Sequence, residues 1–269
     1  MRIAIKFAYD GKKFQGYARQ PNMKTVEGEL IKNLVQHDFI EDATKSCFRS
    51  ASRTDRGVSA LGNVVAFNTD SSKEHIFQTL ISEMADILVY GIKIVEPNFY
   101  PRYAKWSIYR YYLKNHNFAL EKLLSVTALF TGEHNFSNFA RVEADKNPIR
   151  VIDNILITEQ DDFFIIDFYA QTFLWHQIRR VVSAIEKALS NKLEKEQIID
   201  ALTNPDKKVD FGLAPAEPLI LREIIYDFEF EYNKKLSNRL DYMEKILFHH
   251  FFLGRKKKER EDYLSFMRC

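Results

Sequence analysis

Between positions 53 and 57 the chain reads Arg53-Thr54-Asp55-Arg56-Gly57, one carboxylate between two guanidinium groups, closed by a residue that bends the backbone without steric cost. Flanking cations favour the ionised carboxylate that covalent catalysis requires. A turn acid that merely pairs with Arg53 or Arg56 would explain the same residues. The run Trp106-Ser107-Ile108-Tyr109-Arg110-Tyr111-Tyr112 puts Tyr109 and Tyr111 on one face of a strand. A tyrosine ring can hold an unstacked nucleobase and a neighbouring guanidinium a phosphate, although such residues also simply suit strands. In Phe173-Leu174-Trp175-His176-Gln177-Ile178-Arg179-Arg180 the apolar spacing turns helical, placing Arg179 two turns into a helix that starts at Phe173. There the cation needs an acid from another segment, or it must snorkel to the surface.

Other chemistries lack their residues. Gly57 and Gly62 have the spacing of a phosphate loop, but Asn63-Val64 stands where Lys-Ser/Thr is required. Gly57-Val58-Ser59-Ala60-Leu61 approaches a nucleophile elbow, and Leu61 replaces its second glycine. The seven histidines are scattered, and Cys47 and Cys269 form no ligand pair, so neither a metal site nor a disulfide framework is expected. No apolar run approaches the about 20 residues of a membrane span. Residues 1–10 alternate like a strand rather than a signal peptide, which points to a cytoplasmic protein. Lys and Arg number 39 against 37 Asp and Glu. Ten of the basic and five of the acidic residues fall in 232–269, so the remaining body is slightly acidic, and affinity for a polyanion has to come from basic residues gathered by folding.

The elements that must position these residues read as an α+β protein, a sheet with helices packed on one face. Residues 2–9 alternate as a half-buried strand ending at Asp10-Gly11, and Thr25 caps a helix bearing Val26, Leu30 and Leu34. Residues 48–67 read as strand, polar turn and strand, 73–86 as a helix and 89–95 as a strand, with Pro97 and Pro101 marking a boundary between halves. Strands follow at 105–113, 150–158, 163–170 and 219–230, with helices at 119–131 and from Phe173. Residues 237–262 form a charge-rich helix, and the Arg-Lys-Lys-Lys run at 255–258 reads as a solvated face in a supporting role. The expected divisions are 1–100, 101–231 and a basic extension 232–269.

In order along the chain, these segments resemble the TruA family of tRNA pseudouridine synthases. The matching motifs are Tyr9-Asp10-Gly11 with Gly16, Arg19 and Gln20, then Arg53-Thr54-Asp55-x-Gly57-Val58, Phe99-x-x-Arg102, Tyr109-Arg110-Tyr111, Phe173-Leu174-x-His176-x-x-Arg179, and Glu217 through Leu219. The resemblance implies two ferredoxin-like halves joined into one mixed sheet crossed by a basic cleft. It implies isomerisation of uridine to pseudouridine at positions 38, 39 or 40 of the tRNA anticodon stem-loop by a homodimer, with no cofactor or metal. Asp55 then matches the catalytic aspartate, Tyr109 the base-stacking tyrosine, Arg179 the cation paired with the aspartate, and Arg53 an arginine that helps extrude the base. Lys12, Lys13, Arg19, Arg56, Arg102 and Arg110 are the expected RNA contacts. Ser52, Arg56, Ser59 and Ala60 depart from the usual bacterial wording toward archaeal and eukaryotic members, some of which modify other uridines. The Asn-x-x-Leu-Pro stretch expected near 82–90 is missing. The competing readings are a non-catalytic RNA-binding protein on the same scaffold and a nucleoside or glycoside hydrolase using Asp55; hydrolases of sugars usually pair two carboxylates, and the motif around Asp55 holds no second acid.

Overall fold

A computed structural model of the chain describes residues 1–144 and 146–252. Among them the elements run β1 (Arg2–Tyr9), α1 (Val26–Gln36), β2 (Arg49–Ser50), β3 (Ser59–Asn68), α2 (Lys73–Glu83), β4 (Ile87–Val95) and β5 (Trp106–Lys114). They continue with α3 (Leu120–Thr127), β6 (Gly132–Asn135), β7 (Ile149–Ile152), β8 (Asn154–Gln160), β9 (Phe163–Ala170), α4 (Gln177–Leu189) and α5 (Lys195–Thr203). Last come β10 (Leu219–Ile225), β11 (Glu231–Tyr232), α6 (Lys234–Ser237) and α7 (Leu240–Phe252). The chain divides into two compact units, one of residues 1–105 with 220–252 and one of Trp106–Leu219.

In the first unit the strands lie in the order β11-β4-β1-β3-β10, and β2 pairs with β3 as well. The succession β1-α1-β2-β3-α2-β4 with spatial order β4-β1-β3-β2 is the ferredoxin-like split βαβ arrangement. Strand β10 runs parallel to β3 while β1, β2 and β4 pair antiparallel, which makes the sheet mixed. One edge of β3 is shared: β2 pairs at Val65 and Ala66, and β10 pairs at Ser59 and Ala60. The loop bearing Asp55 joins β2 to β3 along that edge. Helix α1 starts where expected, because the Thr25 side chain accepts from the Gly28 N–H at 3.2 Å. Its buried face holds Val26, Leu30, Ile31 and Leu34.

Strand β1 is buried along all eight residues, not on one face alone. The polar letters of its second face mislead, because Lys6 is only 4% exposed, pairs with Glu223, and lies over the rings of Phe230 at 5.3 Å and Tyr232 at 5.8 Å.

In the second unit β5, β8 and β9 lie in the order β5-β9-β8, the order that β1, β2 and β3 take in the first, with α3 and α4 in the matching places along the chain. Strand β6 and helix α5 are additions that the periodicity of the sequence did not announce, and the strand expected over 150–158 divides into β7, which pairs with β6, and β8, which pairs with β9. The strand expected over 219–230 ends at Ile225, and a separate short strand follows at Glu231. Helix α7 covers Leu240–Phe252 of the expected 237–262, and the basic run at 255–258 lies outside the described residues. No described helix is long and apolar enough to cross a membrane.

Candidate active site

Asp55 sits half-buried on a loop that is pinned at Ala51, Ser52, Thr54 and Val58. Ala51 N–H donates to the Val64 carbonyl at 2.9 Å, and the Asn63 side-chain amide donates to the Ser52 carbonyl at 3.0 Å. The Thr54 hydroxyl is 2.8 Å from the buried Tyr9 hydroxyl, while its carbonyl accepts from Tyr17 N–H at 3.2 Å. Val58 N–H then closes a four-residue turn on the Asp55 carbonyl at 3.1 Å, with Gly57 at φ +88° in the third place, where other residues are strained. Gly11 presses on this turn so closely that a Cβ there would lie 2.3 Å from the Val58 oxygen. Gly57 and Gly62, phosphate-loop spacing notwithstanding, do other work. Gly62 belongs to a bulge in which Leu61 and Gly62 face Ala8 alone, and a Cβ on it would lie 2.9 Å from a Glu223 carboxylate oxygen.

Beneath the loop, Tyr9, Phe14 and Tyr17 form a fully buried aromatic cluster, with Tyr9 6.0 Å from Phe14 and 6.4 Å from Tyr17 between ring centres. Burial of each such ring stabilises by about 1.5–3 kcal/mol. Burial pushes the Tyr17 phenol well above its ordinary pKa against the lowering influence of its Ser50 hydrogen bond and of Arg53, so it stays protonated and donates to Ser50 at 2.8 Å. The segment 10–20 also caps α1 from outside, its Gly16 and Tyr17 carbonyls accepting from Val26 and Glu27 N–H at 3.3 and 2.9 Å. Thus Tyr9, Gly11 and Tyr17, far from Asp55 in sequence, together immobilise its backbone.

In the second unit Tyr109 is 8% exposed on β5 and meets the Phe173 ring edge-on at 5.3 Å. Its neighbour Arg110 makes a two-point pair with Asp167, its cross-strand partner on β9, at 2.8 and 2.7 Å. Helix α4 begins at Gln177, not Phe173, because His176 takes a left-handed conformation at φ +64° and breaks the run. Arg179 therefore lies in the first turn rather than two turns in. A cation at a helix N-terminus is disfavoured by about 0.3–1 kcal/mol, so something other than helix stability keeps it there. Its position is fixed by Ala214: the Arg179 guanidinium Nε donates to the Ala214 carbonyl at 2.8 Å, and Ala214 N–H donates back to the Arg179 carbonyl at 3.1 Å.

The expected RNA contacts divide by environment. Lys12, Arg19, Arg53, Arg56 and Arg102 are exposed in the first unit. Lys13 binds Asp86 at 2.7 Å, and Lys24 reaches the other oxygen of that carboxylate at 2.5 Å. Arg19 leans on Glu27, which also accepts from the Arg19 N–H at 3.0 Å. Among the described residues no group of three or more His, Cys, Asp or Glu could hold a metal ion. Sequence reasoning did not single out Thr54, Asn63 or Ala214 as positioning residues. A buried asparagine inside the apolar run Leu61–Phe67 was the one local signal available; the others depend on partners far away in the chain.

A family model described as tRNA pseudouridine synthase matches residues 126–227. A tRNA pseudouridine synthase A from Thermococcus sibiricus is 43% identical over 230 residues, 84% of this chain and 85% of that protein. Another, from Methanothermobacter thermautotrophicus, is 37% identical over 228 residues, 84% of this chain and 81% of that protein. The chain belongs to the tRNA pseudouridine synthase A family. Among solved structures, a Cbf5-Nop10-Gar1 complex aligns with 68% of this chain and 44% of the matched chain at a TM-score of 0.35 and 13% identity, a likeness too distant to bear on the fold.

Proposed function

We propose that this protein converts uridine to pseudouridine in the anticodon stem-loop of tRNA, at positions 38, 39 or 40, with Asp55 as the nucleophile. In this reading Asp55 attacks the target nucleoside, the N1–C1′ bond opens, the base turns and C5 joins C1′; the bond to Asp55 breaks to return the carboxylate, and N1 gains a proton as C5 loses one. The product is an isomer, so no oxidant, phosphate donor or metal is consumed. Tyr109 stacks on the base, Arg179 holds the aspartate, and Arg53 helps extrude the nucleotide. Lys12, Arg19, Arg56 and Arg102 meet phosphates, while Lys13 and Arg110 add charge from within their pairs. Both halves act on one RNA, and the protein works as a cytoplasmic homodimer.

The observation that carries the reading is the immobilised backbone around a half-buried Asp55, in a chain with the family's motifs in the family's order. A carboxylate held in place meets its target without reorganising first. The test is to incubate the protein with an unmodified tRNA transcript and map pseudouridine by mass spectrometry. Pseudouridine confined to positions 38–40 is the expected result. Modification elsewhere would overturn the position, and bound but unmodified tRNA would favour a binding protein.

A further inference from the structure

Trp175 stands where a buried residue would be expected. Its neighbours Leu174, Gln177 and Ile178 are 9%, 1% and 5% exposed, yet Trp175 is 45% exposed in the turn that leads into α4. Its backbone is fixed, because Arg141 N–H donates to the Trp175 carbonyl at 2.8 Å in an isolated bridge between the two segments. The same Arg141 lays its guanidinium over the indole, with Cζ 4.2 Å from the ring centre. This ring is therefore oriented, with a cation over it and the tilted His176 ring 4.9 Å away between centres, and it stays partly open to solvent. A stacked base needs an oriented aromatic surface, and the attached phosphate needs a nearby positive charge.

We propose that Trp175, oriented by Arg141, is a stacking platform for an unpaired nucleobase of the bound RNA, one other than the nucleotide that reacts. The proposal rests on the tRNA-modifying reading above. Phe173, whose ring touches Tyr109, is two residues away, at most about 7 Å along an extended chain. A base on Trp175 therefore lies within a few nucleotides of one on Tyr109. Arg141 supplies the charge for the intervening phosphate, a role that Arg180 serves less well because it is held by Asp210 at 2.8 Å.

The chain has two tryptophans, so Trp106→Phe leaves Trp175 as the only indole. In that background an unmodified tRNA transcript should quench the fluorescence and shield it from acrylamide, whereas inorganic polyphosphate, which has charge without bases, should do neither. Trp175→Ala should raise Kd for the transcript about tenfold, and Trp175→Phe should recover most of that loss. In turnover, the Ala variant should lose more through KM than through kcat. Filter binding run in parallel separates the outcomes. Transcript that binds without quenching, or an unchanged Kd for Trp175→Ala, overturns the platform and leaves the isomerase reading intact. Quenching without pseudouridine formation supports the platform while contradicting that reading, and absence of any binding contradicts both.

Discussion

Thr54 shows what a single side chain contributes to this site. Its hydroxyl meets Tyr9 and its carbonyl meets Tyr17, so two buried tyrosines hold the residue next to the proposed nucleophile. Thr54→Val keeps the shape and removes the hydroxyl, at a cost of about 1–3 kcal/mol for disturbing a buried hydrogen bond. We expect a lower urea midpoint and a kcat reduced about tenfold or more, with KM changed less, in steady-state assays on tRNA. Equal losses in KM and kcat would argue against a positioning role. Asp86 is a test by pH. Burial pushes its carboxyl up, but the hydrogen bonds and charges of Lys13 and Lys24 outweigh this and leave its pKa below the usual carboxylate range. A depressed native pKa stabilises the fold above the unfolded value of about 3.9 and ceases to do so as pH falls through the native one. Urea midpoints of Asp86→Asn should therefore lie below wild type at pH 7, and the gap should close only as pH falls below the usual carboxylate range. At this scale the sequence offered the candidates, since Asp55, Tyr109 and Arg179 stand out by their place in the family's motifs. Their supports were hidden, because the Tyr9–Thr54 pair spans 45 positions and no local pattern encodes it.

Strand β5 and helix α4 position the second group of residues, and each has a weak point. The register of β5 on β9 is set where Arg110 faces Asp167, with both side chains mostly shielded from water. Removing either partner leaves the other charged and poorly solvated. Arg110→Met and Asp167→Asn should each destabilise by roughly 2–4 kcal/mol, and the double mutant should cost less than their sum. Additive losses would mean that the pair does not couple. Gly11, at the end of β1, is the corresponding point in the first unit. Gly11→Ala drives a methyl into the Val58 carbonyl, at a cost of about 1–3 kcal/mol of overpacking, and should depress kcat because the strain falls on the Asp55 turn. Element types were largely readable from periodicity and caps, Thr25 being the clearest instance. The start of α4 was misread because Phe173 and Leu174 continue the helical apolar spacing, while the left-handed His176 leaves no compositional trace. Strand β6 and helix α5 are too short and too polar to stand out from loops.

For the whole molecule, a sequence with 39 basic and 37 acidic residues does not advertise a polyanion as its partner. Exposed Lys12, Arg19, Arg53, Arg56 and Arg102 belong to different segments of the first unit, so local charge is a product of folding. Affinity for tRNA should fall by about 0.7–0.9 log units per log unit of salt for each phosphate contacted. An affinity indifferent to salt between 50 and 200 mM would contradict that interface. Family membership was legible in the ordered motifs, whereas the network that immobilises Asp55 appeared only with the fold. The central claim is that Asp55 is the nucleophile of a uridine isomerase, and it is tested most directly with tRNA carrying tritium at uridine C5. Asp55→Asn preserves size and turn geometry but substitutes an amide for the attacking carboxylate, removing a step that is worth many powers of ten at about 1.4 kcal/mol each. Wild type should release tritium while the chain stays intact, and the Asn variant, folded and binding tRNA with near-wild-type affinity, should release none. Release by that variant at about 1% of the wild-type rate or more, a loss of only about 2.7 kcal/mol, would place the nucleophile elsewhere.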